Sequence, residues 1–166
     1  MESKFKAAGH AVHPMLIVFP LGLLATATIF DGIRAGTRNP RWAEVGHYMI
    51  GAGVVSGLAA AVPGTVDFLA IPERTRAKRI GLVHGIGNVI VTGLFAASWF
   101  NRKNNPGNPS AAAVGLSLAG TALALVTGWL GGELVERLSV GVDDGAHLNA
   151  PSSLTQAPAT EHPLAA

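Results

Sequence analysis

The chain has 166 residues, of which 49% are hydrophobic and only 13% are charged, whereas a typical soluble domain has about 25% charged residues. It contains no cysteine, which excludes disulfides, thiolate metal sites and iron–sulphur ligands. The formal net charge is +2, and no basic stripe is interleaved with aromatic residues, so no nucleic acid partner is predicted. The composition indicates an integral membrane protein whose first partner is the lipid bilayer.

The first apolar run opens at His13-Pro14 and predicts a span over about 14–30. Proline suits the first turn of a helix, and Pro20 inside the run predicts a kink. A secretory signal peptide is the alternative, because two lysines precede the run and Ala25–Ala27 resembles a cleavage site. The long polar segment 1–12 before the run and the prolines within it favour the membrane span.

Three further apolar runs predict spans at about 45–68, 80–100 and 111–132. Each is long enough to cross a hydrocarbon core of ~30 Å at ~1.5 Å per residue. The second span carries a small-residue face for helix packing, formed by Gly46, Gly53, Gly57 and Gly64. Pro63-Gly64 is expected to bend or end that span, and no internal repeat is evident.

The predicted fold class is all-α, an integral membrane bundle of four transmembrane helices with short loops and a disordered C-terminal tail. The membrane domain covers 1–142, and the tail covers 143–166, which is rich in Pro, Ala and Ser. Four spans place both termini on one side, which holds seven of the twelve Lys and Arg residues. The positive-inside rule then favours cytoplasmic termini. Glycine-rich faces would allow an oligomer.

The third span carries His84 and Asn88 at i and i+4, on one face of a helix without charges. Because polar groups in lipid are costly unless partnered, this face is expected to point into the bundle. His13 starts the first span, which runs in the same direction as the third, so the two imidazoles share a leaflet. Two histidines on different helices at similar depth are what the axial ligands of haem b require. His10 is a weaker candidate, since it precedes the run.

Other residues near this imidazole pair fit the haem b hypothesis. Gly81 and Gly85 would make room for a flat porphyrin beside the imidazole. Arg76 and Arg79 lie at the rim where propionates would emerge, and Asn88 could donate a hydrogen bond near the ligand. The chain would then be an electron-transfer module with bis-histidine ligation between helices one and three.

A structural interpretation remains open beside the haem hypothesis. His13 before a proline is suited to capping a helix at the headgroup level, and His84 could bond a carbonyl across the bundle. Gly81 and Gly85 form a GxxxG pair, whose ordinary role is helix packing. His84 would also lie ~6 Å deeper than a residue at the membrane boundary, unless the third helix starts earlier. The chain would then be an accessory or structural membrane subunit.

The carboxylates are expected to form interfacial ion pairs without activity. Asp67 would pair with an arginine of the loop 71–79, and Asp31 with Arg34. No metalloprotease, nucleophile-elbow or nucleotide-binding motif is present, so no catalytic constellation is predicted.

The proline interruptions and the remaining histidines indicate little further function. Interruptions at Pro20 and Pro63-Gly64 would suit a small transporter-like oligomer, although four spans without a repeat favour it little. His47 has no histidine counterpart in its leaflet, so a second haem is not predicted. His147 and His162 lie in the tail and are expected to be inert.

Three separated stretches resemble a known family: HPMLIVFPLGLLATATIFD, VDFLAIPERTRAKRIGLVHGIGN and GWLGGELV. They are similar to signatures of an uncharacterised bacterial membrane-protein family catalogued as domain of unknown function 2231. The resemblance covers roughly Gly9 to Val142 and implies a four-helix membrane protein without an assigned activity. Some relatives are fused to a Rieske iron–sulphur domain, which implies electron transfer. Because this chain has no cysteine, a Rieske-type redox partner would be a separate protein.

Overall fold

Four long helices dominate residues 1–154, the part of the chain that this computed structural model describes. The elements are β1 (Lys6–Ala7), β2 (His10–Ala11), α1 (Val12–Leu16), α2 (Val18–Thr37), α3 (Pro40–Ala70), α4 (Arg76–Arg102), α5 (Ala111–Gly132) and a π-helical turn (Glu133–Arg137). Four helical stretches here are long and apolar enough to cross a membrane. The predicted all-α membrane bundle is confirmed. Residues 155–166 of the predicted tail lie outside the described residues.

Local sequence explains where the long helices begin. The side-chain oxygens of Asn39, Thr75 and Ser110 each accept a hydrogen bond from a backbone N–H two or three residues later, which satisfies donors that have no partner within the helix. Pro40 follows Asn39 at the first helical position, where a missing N–H costs nothing. The cap at Thr75 starts α4 at Arg76, inside the basic loop and ahead of the uncharged run.

The two internal prolines have different consequences. Pro20 has no N–H to donate to the carbonyl of Leu16, so the first run is divided at Ile17 into α1 and α2. Pro63 lies inside α3, which continues to Ala70. Of the two expected effects of Pro63-Gly64, a bend or an end of the second span, the end is therefore wrong.

The helices pack as two equivalent pairs, α2 with α3 and α4 with α5. The first pair buries Leu24, Ala27 and Asp31 of α2 and Gly46, Ile50, Gly53, Ala60 and Asp67 of α3. The second pair buries Phe95, Ser98 and Arg102 of α4, then Ala113, Ser117, Gly120 and Thr127 of α5 and Leu134 just after it. Matching positions are 71 residues apart in the first helix of each pair, as at Asp31 and Arg102, and 67 residues apart in the second, as at Gly53 and Gly120. The bundle therefore repeats one unit in parallel orientation. The expectation of no internal repeat was wrong.

The core forms where the two units meet. Leu24, Ala27, Ile50, Val91 and Phe95 make one buried cluster. A Cβ added at Gly53 would lie 2.5 Å from Leu24 Cδ2, and one added at Gly120 would lie 2.8 Å from Phe95 Cε2. Gly53 and Gly120 are equivalent, and so are Leu24 and Phe95. Each unit thus uses a glycine to admit the large side chain of its paired helix.

The outer surface of the bundle is apolar, as lipid contact requires. Large hydrophobic side chains on all four long helices are exposed, among them Leu21, Ile29, Val55, Leu58, Val62, Val89, Ile90, Leu125 and Trp129. The protein is therefore a multi-pass membrane protein that contacts the bilayer. The α3 glycines pack within the chain, whereas Gly128 and Gly132 of α5 face open space, so oligomerisation through a glycine-rich face stays a prediction.

Both ends of the described chain meet at one end of the bundle. The Met1 amino group donates to Ser139 O at 2.8 Å, and Gly141 N donates to Met1 O at 2.9 Å. This end, which also holds the α3–α4 loop and the π-helical turn, is called the histidine end below. The opposite end, with the α2–α3 and α4–α5 connections, is called the ion-pair end.

Asp67 anchors the N-terminal segment at the histidine end. Its carboxylate accepts hydrogen bonds from Ser3 Oγ at 2.8 Å and from Lys4 N at 2.7 Å, and Ser3 is buried. The expected pairing of Asp67 with an arginine of the loop 71–79 was wrong. The polar N-terminal segment folds back over the bundle and supplies hydrogen-bond donors to Asp67 instead.

Lys6 ties the N-terminal segment to the C-terminal one. Its ammonium group lies 2.7 Å from Glu2 Oε2 and 3.3 Å from Asp143 Oδ2. The hydrogen bond to Glu2 raises the pKa of Lys6. The hydrogen bond from Gly145 N, with Lys6 second, lowers the pKa of Asp143. These ionic contacts join two exposed segments and are screened by salt.

The contact of Lys6 with Asp143 should depend on pH at both extremes. Because the pKa of Asp143 is lowered, its carboxylate stabilises the contact above about pH 4, and this stabilisation is lost as the pH falls through the folded-state pKa. Because the pKa of Lys6 is raised, its ammonium group stabilises the contact below about pH 10, and this stabilisation is lost as the pH rises through the folded-state pKa. Amide hydrogen exchange of residues 1–11, corrected for intrinsic exchange, should therefore be slowest between these limits.

Replacement of Lys6 with glutamine should remove most of this pH dependence and speed exchange a few-fold at low salt. Lys4→Gln is the matched control, since Lys4 contributes its backbone N–H rather than its side chain. Equal exchange in both variants would contradict the role given to Lys6.

Candidate functional site

His13 of α1 and His84 of α4 approach each other inside the histidine end. Their ring centroids are 6.5 Å apart and the ring planes are nearly perpendicular, at 88°. The start of α4 at Arg76 lets its first turns lie within the same end of the bundle as α1. The expected depth difference therefore does not keep the two imidazoles apart.

Each imidazole is held by a backbone carbonyl of the helix paired with its own. His13 Nδ1 lies 2.8 Å from Ala60 O, and His84 Nδ1 lies 2.8 Å from Thr127 O. A carbonyl oxygen only accepts, so each Nδ1 carries the proton and each Nε2 keeps a lone pair. Ala60 and Thr127 occupy equivalent positions of the repeat, so the same contact is made twice. Nε2 is thus the nitrogen without a proton at both positions.

Two glycines that the sequence did not single out for this site lie against the rings. A Cβ added at Gly64 would lie 2.8 Å from His13 Nδ1, and one at Gly131 would lie 3.2 Å from His84 Cε1. These glycines also occupy equivalent positions. Their identity as ring-contacting residues follows from helix pairing, which sequence spacing alone does not reveal.

The glycines predicted to flank His84 have separate environments. Gly81 is buried, and a Cβ there would lie 3.0 Å from Phe68 Cδ2 and 3.3 Å from Ile71 Cδ1. Gly85 has no described atom within 4 Å of an added Cβ. Gly81 therefore serves the contact between α3 and α4, and Gly85 is exposed on the outer surface of α4.

Asn88 bonds to the nitrogen of His84 that would ligate a metal. Its Nδ2 group lies 3.1 Å from His84 Nε2, and its backbone carbonyl accepts from Thr92 Oγ1 at 2.8 Å. Since Nδ1 of His84 carries the proton, Asn88 donates and Nε2 accepts. Asn88 thus contacts the imidazole directly, and the i and i+4 spacing explains why the two side chains meet on one face of α4.

The predicted basic rim is partly neutralised. Arg76 Nη2 lies 2.6 Å from Glu133 Oε1 across the histidine end. Arg79 is exposed and forms no ion pair within residues 1–154. A cleft of about 460 Å³ lies next to this rim. It is lined by Trp129, Gly132, Glu133, Glu136 and Arg137. Of the two predicted rim cations, Arg79 is the one without an acidic partner here.

The ion-pair end contains a buried salt bridge that links the two units. Arg102 Nη1 and Nη2 each lie 2.8 Å from an oxygen of Asp31, and the two residues are 1% and 4% exposed. Ser98 Oγ accepts from Arg102 Nε at 3.1 Å, and Ser117 Oγ accepts from Nη2 at 3.0 Å. The expected partner of Asp31 was Arg34, which is wrong, because Arg34 is directed to Asn108.

This salt bridge obeys the same internal symmetry as the histidine pair. Asp31 and Arg102 are 71 residues apart, and the same separation joins His13 to His84. Each pair therefore consists of one position and its repeat facing each other across the bundle. The repeat places two polar pairs on its axis, one towards each membrane surface.

The remaining histidines lie outside the pair. His10 is exposed, with Nδ1 3.1 Å from Ala8 O. His47 is 7% exposed and stacks on Trp99 with ring centroids 5.3 Å apart, and its Nδ1 has no partner among the described residues. His147 is exposed in the C-terminal segment, and His162 lies outside the described residues. Within residues 1–154 no three His, Cys, Asp or Glu side chains cluster as a metal site.

These observations define a class: a four-helix integral membrane protein made of two equivalent helix pairs, with a histidine pair inside one end. A family model described as a predicted membrane protein (DUF2231) matches residues 9–144. The chain belongs to this DUF2231 family, which confirms the resemblance found in its three signature stretches. Neither a curated protein nor a solved structure matches the chain.

Proposed function

We propose that His13 and His84 are the axial ligands of a haem b, which makes the chain a membrane-embedded electron-transfer module. The observation that carries the proposal is the pair of neighbouring imidazoles, with ring centroids 6.5 Å apart and each Nδ1–H bonded to a helix carbonyl. Such a bond fixes the tautomer and orientation of metal-ligating histidines and raises their basicity. A bound haem would supply one-electron chemistry.

The distance between the rings supports this ligand. Two imidazole nitrogens at ~2 Å on either side of one metal ion put the ring centroids roughly 6 Å apart. The observed centroid separation is 6.5 Å.

The donor set supports haem over a bare ion. A structural zinc site needs four protein ligands, and residues 1–154 offer no cluster of three. A porphyrin brings its own four nitrogens, so two histidines complete the coordination of its iron. Arg79 offers a propionate a guanidinium that has no ion-pair partner among residues 1–154.

The partner and orientation form part of this proposal. Electron transfer needs a second redox protein, and a separate Rieske-type protein is the candidate that the family resemblance suggests. The excess of Lys and Arg at the histidine end favours a cytoplasmic position for both termini. A fusion of alkaline phosphatase to the C-terminus, inactive in the cytoplasm, would test this orientation.

A cofactor-free accessory subunit is the second candidate, and one observation favours it. His84 is fully bonded within the bundle, through Thr127 O at Nδ1 and Asn88 at Nε2. Satisfied polar groups of this kind hold membrane helices together without any ligand. The transporter alternative is less supported, because α3 continues through Pro63 and removes one of the two expected interruptions.

The deciding experiment is purification of the full chain in detergent, followed by titration with haemin. The expected result is about one haem per chain with the Soret band of a bis-histidine complex. His84→Ala and His13→Ala should each abolish that spectrum. His10→Ala is the matched control at the same end, and it should leave the spectrum unchanged.

A colourless wild-type protein that takes up no haemin would contradict the haem proposal and leave the accessory role. Equal spectra for His84→Ala and His10→Ala would also contradict it, since His84 would then not be a ligand. Circular dichroism of each variant verifies that the helices are retained.

A further inference from the structure

A cleft opens on the outside of the histidine end, and neither histidine of the pair lines it. It is lined by Trp129, Gly132, Glu133, Glu136 and Arg137. Its volume of about 460 Å³ lies within the range of roughly 300–1,000 Å³ that is usual for small-molecule sites. A Cβ added at Gly132 would meet no described atom within 4 Å, so this position contributes open space. The cleft is therefore large enough for a ligand.

The cleft lies where the lipid-facing surface of α5 ends. Leu125, Val126 and Trp129 are 72%, 55% and 67% exposed, and Glu133 is the first charged residue after this uncharged helix. Tryptophan is enriched at membrane–water interfaces because its ring is apolar and also donates a hydrogen bond. A molecule in the cleft is thus in contact with lipid chains on one side and with water on the other.

Two charges of opposite sign in the cleft have no ion-pair partner among residues 1–154. The carboxylate of Glu133 is neutralised by Arg76, whose Nη2 lies 2.6 Å from Glu133 Oε1. Glu136 and Arg137 are both exposed, and neither forms an ion pair within the described part of the chain. The cleft therefore offers one free anion and one free cation, which complement a ligand that carries both charges.

The position of Glu136 at the end of a helix favours a bound cation. The C-terminal end of a helix carries a partial negative charge, which attracts cations and disfavours carboxylates. Glu136 lies in the π-helical turn that follows α5, and such turns are rare and occur frequently at functional sites. A bound ammonium group would offset the repulsion between Glu136 and the helix end.

The internal repeat shows that the fold does not require these charges. The residues that lie 67 positions before Trp129, Glu133 and Glu136 are Val62, Val66 and Leu69. These apolar equivalents are exposed on the lipid-facing surface of the first unit, whereas the second unit has a tryptophan and two carboxylates. Because both units pack alike, the charged set serves something other than packing.

We propose that the cleft binds the headgroup of a phospholipid that carries a primary ammonium group, as phosphatidylethanolamine does. The ammonium group donates hydrogen bonds to Glu136, the phosphate accepts from Arg137, and the acyl chains lie along Trp129. A carboxylate needs an N–H donor, which the quaternary ammonium of phosphatidylcholine lacks. An anionic phospholipid such as phosphatidylglycerol offers no ammonium, and Glu136 repels it. The site is independent of the haem proposal, since no histidine takes part.

The test measures which lipid lies beside Trp129, because Trp42 and Trp99 are at the ion-pair end. The full chain is placed in phosphatidylcholine nanodiscs that contain a fixed share of lipid brominated in the upper acyl chains, with either an ethanolamine or a choline headgroup. Bromine quenches tryptophan fluorescence at contact, and the difference between the wild type and Trp129→Phe isolates the signal of Trp129. We expect about threefold enrichment of the brominated phosphatidylethanolamine, since exposed charge pairs are weak.

Substitutions assign this selectivity to the cleft. Glu136→Gln should abolish the enrichment, because the amide keeps the shape of the side chain but loses its charge. Glu73→Gln is the matched control and should keep the enrichment, since this carboxylate lies at the same end, outside the cleft lining, and is bonded to Lys78. Arg137→Gln should lower the advantage of both phospholipids over brominated diacylglycerol, which has no phosphate.

Equal quenching by the ethanolamine and choline lipids in the wild type would overturn the proposal. Equal enrichment in Glu136→Gln and Glu73→Gln would overturn it as well, because the carboxylate in the cleft would then not select the lipid. Soluble glycerophosphoethanolamine, which has the headgroup without acyl chains, should not displace the lipid. Displacement would assign the cleft to a soluble ligand and overturn the lipid as its occupant. None of these results depends on the uptake of haemin.

Discussion

Replacement of Arg102 with leucine is expected to lower the free energy of unfolding by about 3–5 kcal/mol. The change leaves the carboxylate of Asp31 buried at 4% exposure without its cation. It also removes the donor that Ser98 Oγ and Ser117 Oγ accept from. Unfolding in detergent, followed by circular dichroism during titration with sodium dodecyl sulphate, measures the loss.

Three comparison variants test whether the loss comes from the unpaired charge. Asp31→Leu combined with Arg102→Leu should recover most of the stability, because two apolar groups replace the ion pair. The exchange of charges, Asp31→Arg with Arg102→Asp, should recover only part of it. The equivalents of Ser98 and Ser117 are Ala27 and Ile50, which offer the relocated arginine no hydroxyl groups. Arg34→Leu, which removes only a hydrogen bond to Asn108 at the same end, should have little effect.

If Arg102→Leu and Arg34→Leu proved equally mild, the ion pair would not stabilise the bundle. That result would also remove the reason for placing a polar pair on the axis of the repeat at this end.

Replacement of Gly120 with alanine is the second change with a large expected effect, a loss of about 1–3 kcal/mol. The added Cβ would lie 2.8 Å from Phe95 Cε2 and 2.9 Å from Phe95 Cδ2. Phe95 is fully buried in the core cluster, so its ring cannot swing away without disturbing Leu24 and Ile50. Thermal unfolding in detergent, monitored by circular dichroism, gives the shift.

The same helix offers a matched control and a rescue. Gly115→Ala places a Cβ in open space and should be neutral or slightly stabilising, because alanine favours the helix over glycine. Phe95→Leu should partly restore Gly120→Ala, since the smaller side chain makes room. Equal effects of the two glycine changes would show that helix propensity, not the contact with Phe95, sets the stability.

Part of the candidate site could be predicted from the chain alone. His84 and Asn88 share a helix, and helical periodicity determines that residues at i and i+4 lie on one face. Their hydrogen bond is therefore local and follows from spacing. The joint presence of His13 and His84 at one end follows from parallel spans, because a membrane restricts each helix to one of two directions.

The partners of the charged residues could not be predicted in this way. Proximity in the sequence predicts that Asp31 pairs with Arg34 and Asp67 with an arginine of the next loop. The actual partners, Arg102 and the Ser3 hydroxyl, come from contacts between distant segments. Ion-pair choice depends on which helix faces meet, and that information is not local.

Sequence by itself determined that this protein is a bundle of four membrane-spanning helices, because uncharged runs of sufficient length have one stable solution in lipid. It also determined which turn of α4 carries its polar face. Only the tertiary structure decided that the bundle repeats one helix pair. Equivalent positions of the two pairs are buried in the same way although their residues differ, as at Leu24 and Phe95. Packing faces are set by side-chain size and position, so equivalent contacts arise from different residues. The symmetry of the two helix pairs, rather than residue identity, places His13 next to His84 and Asp31 next to Arg102.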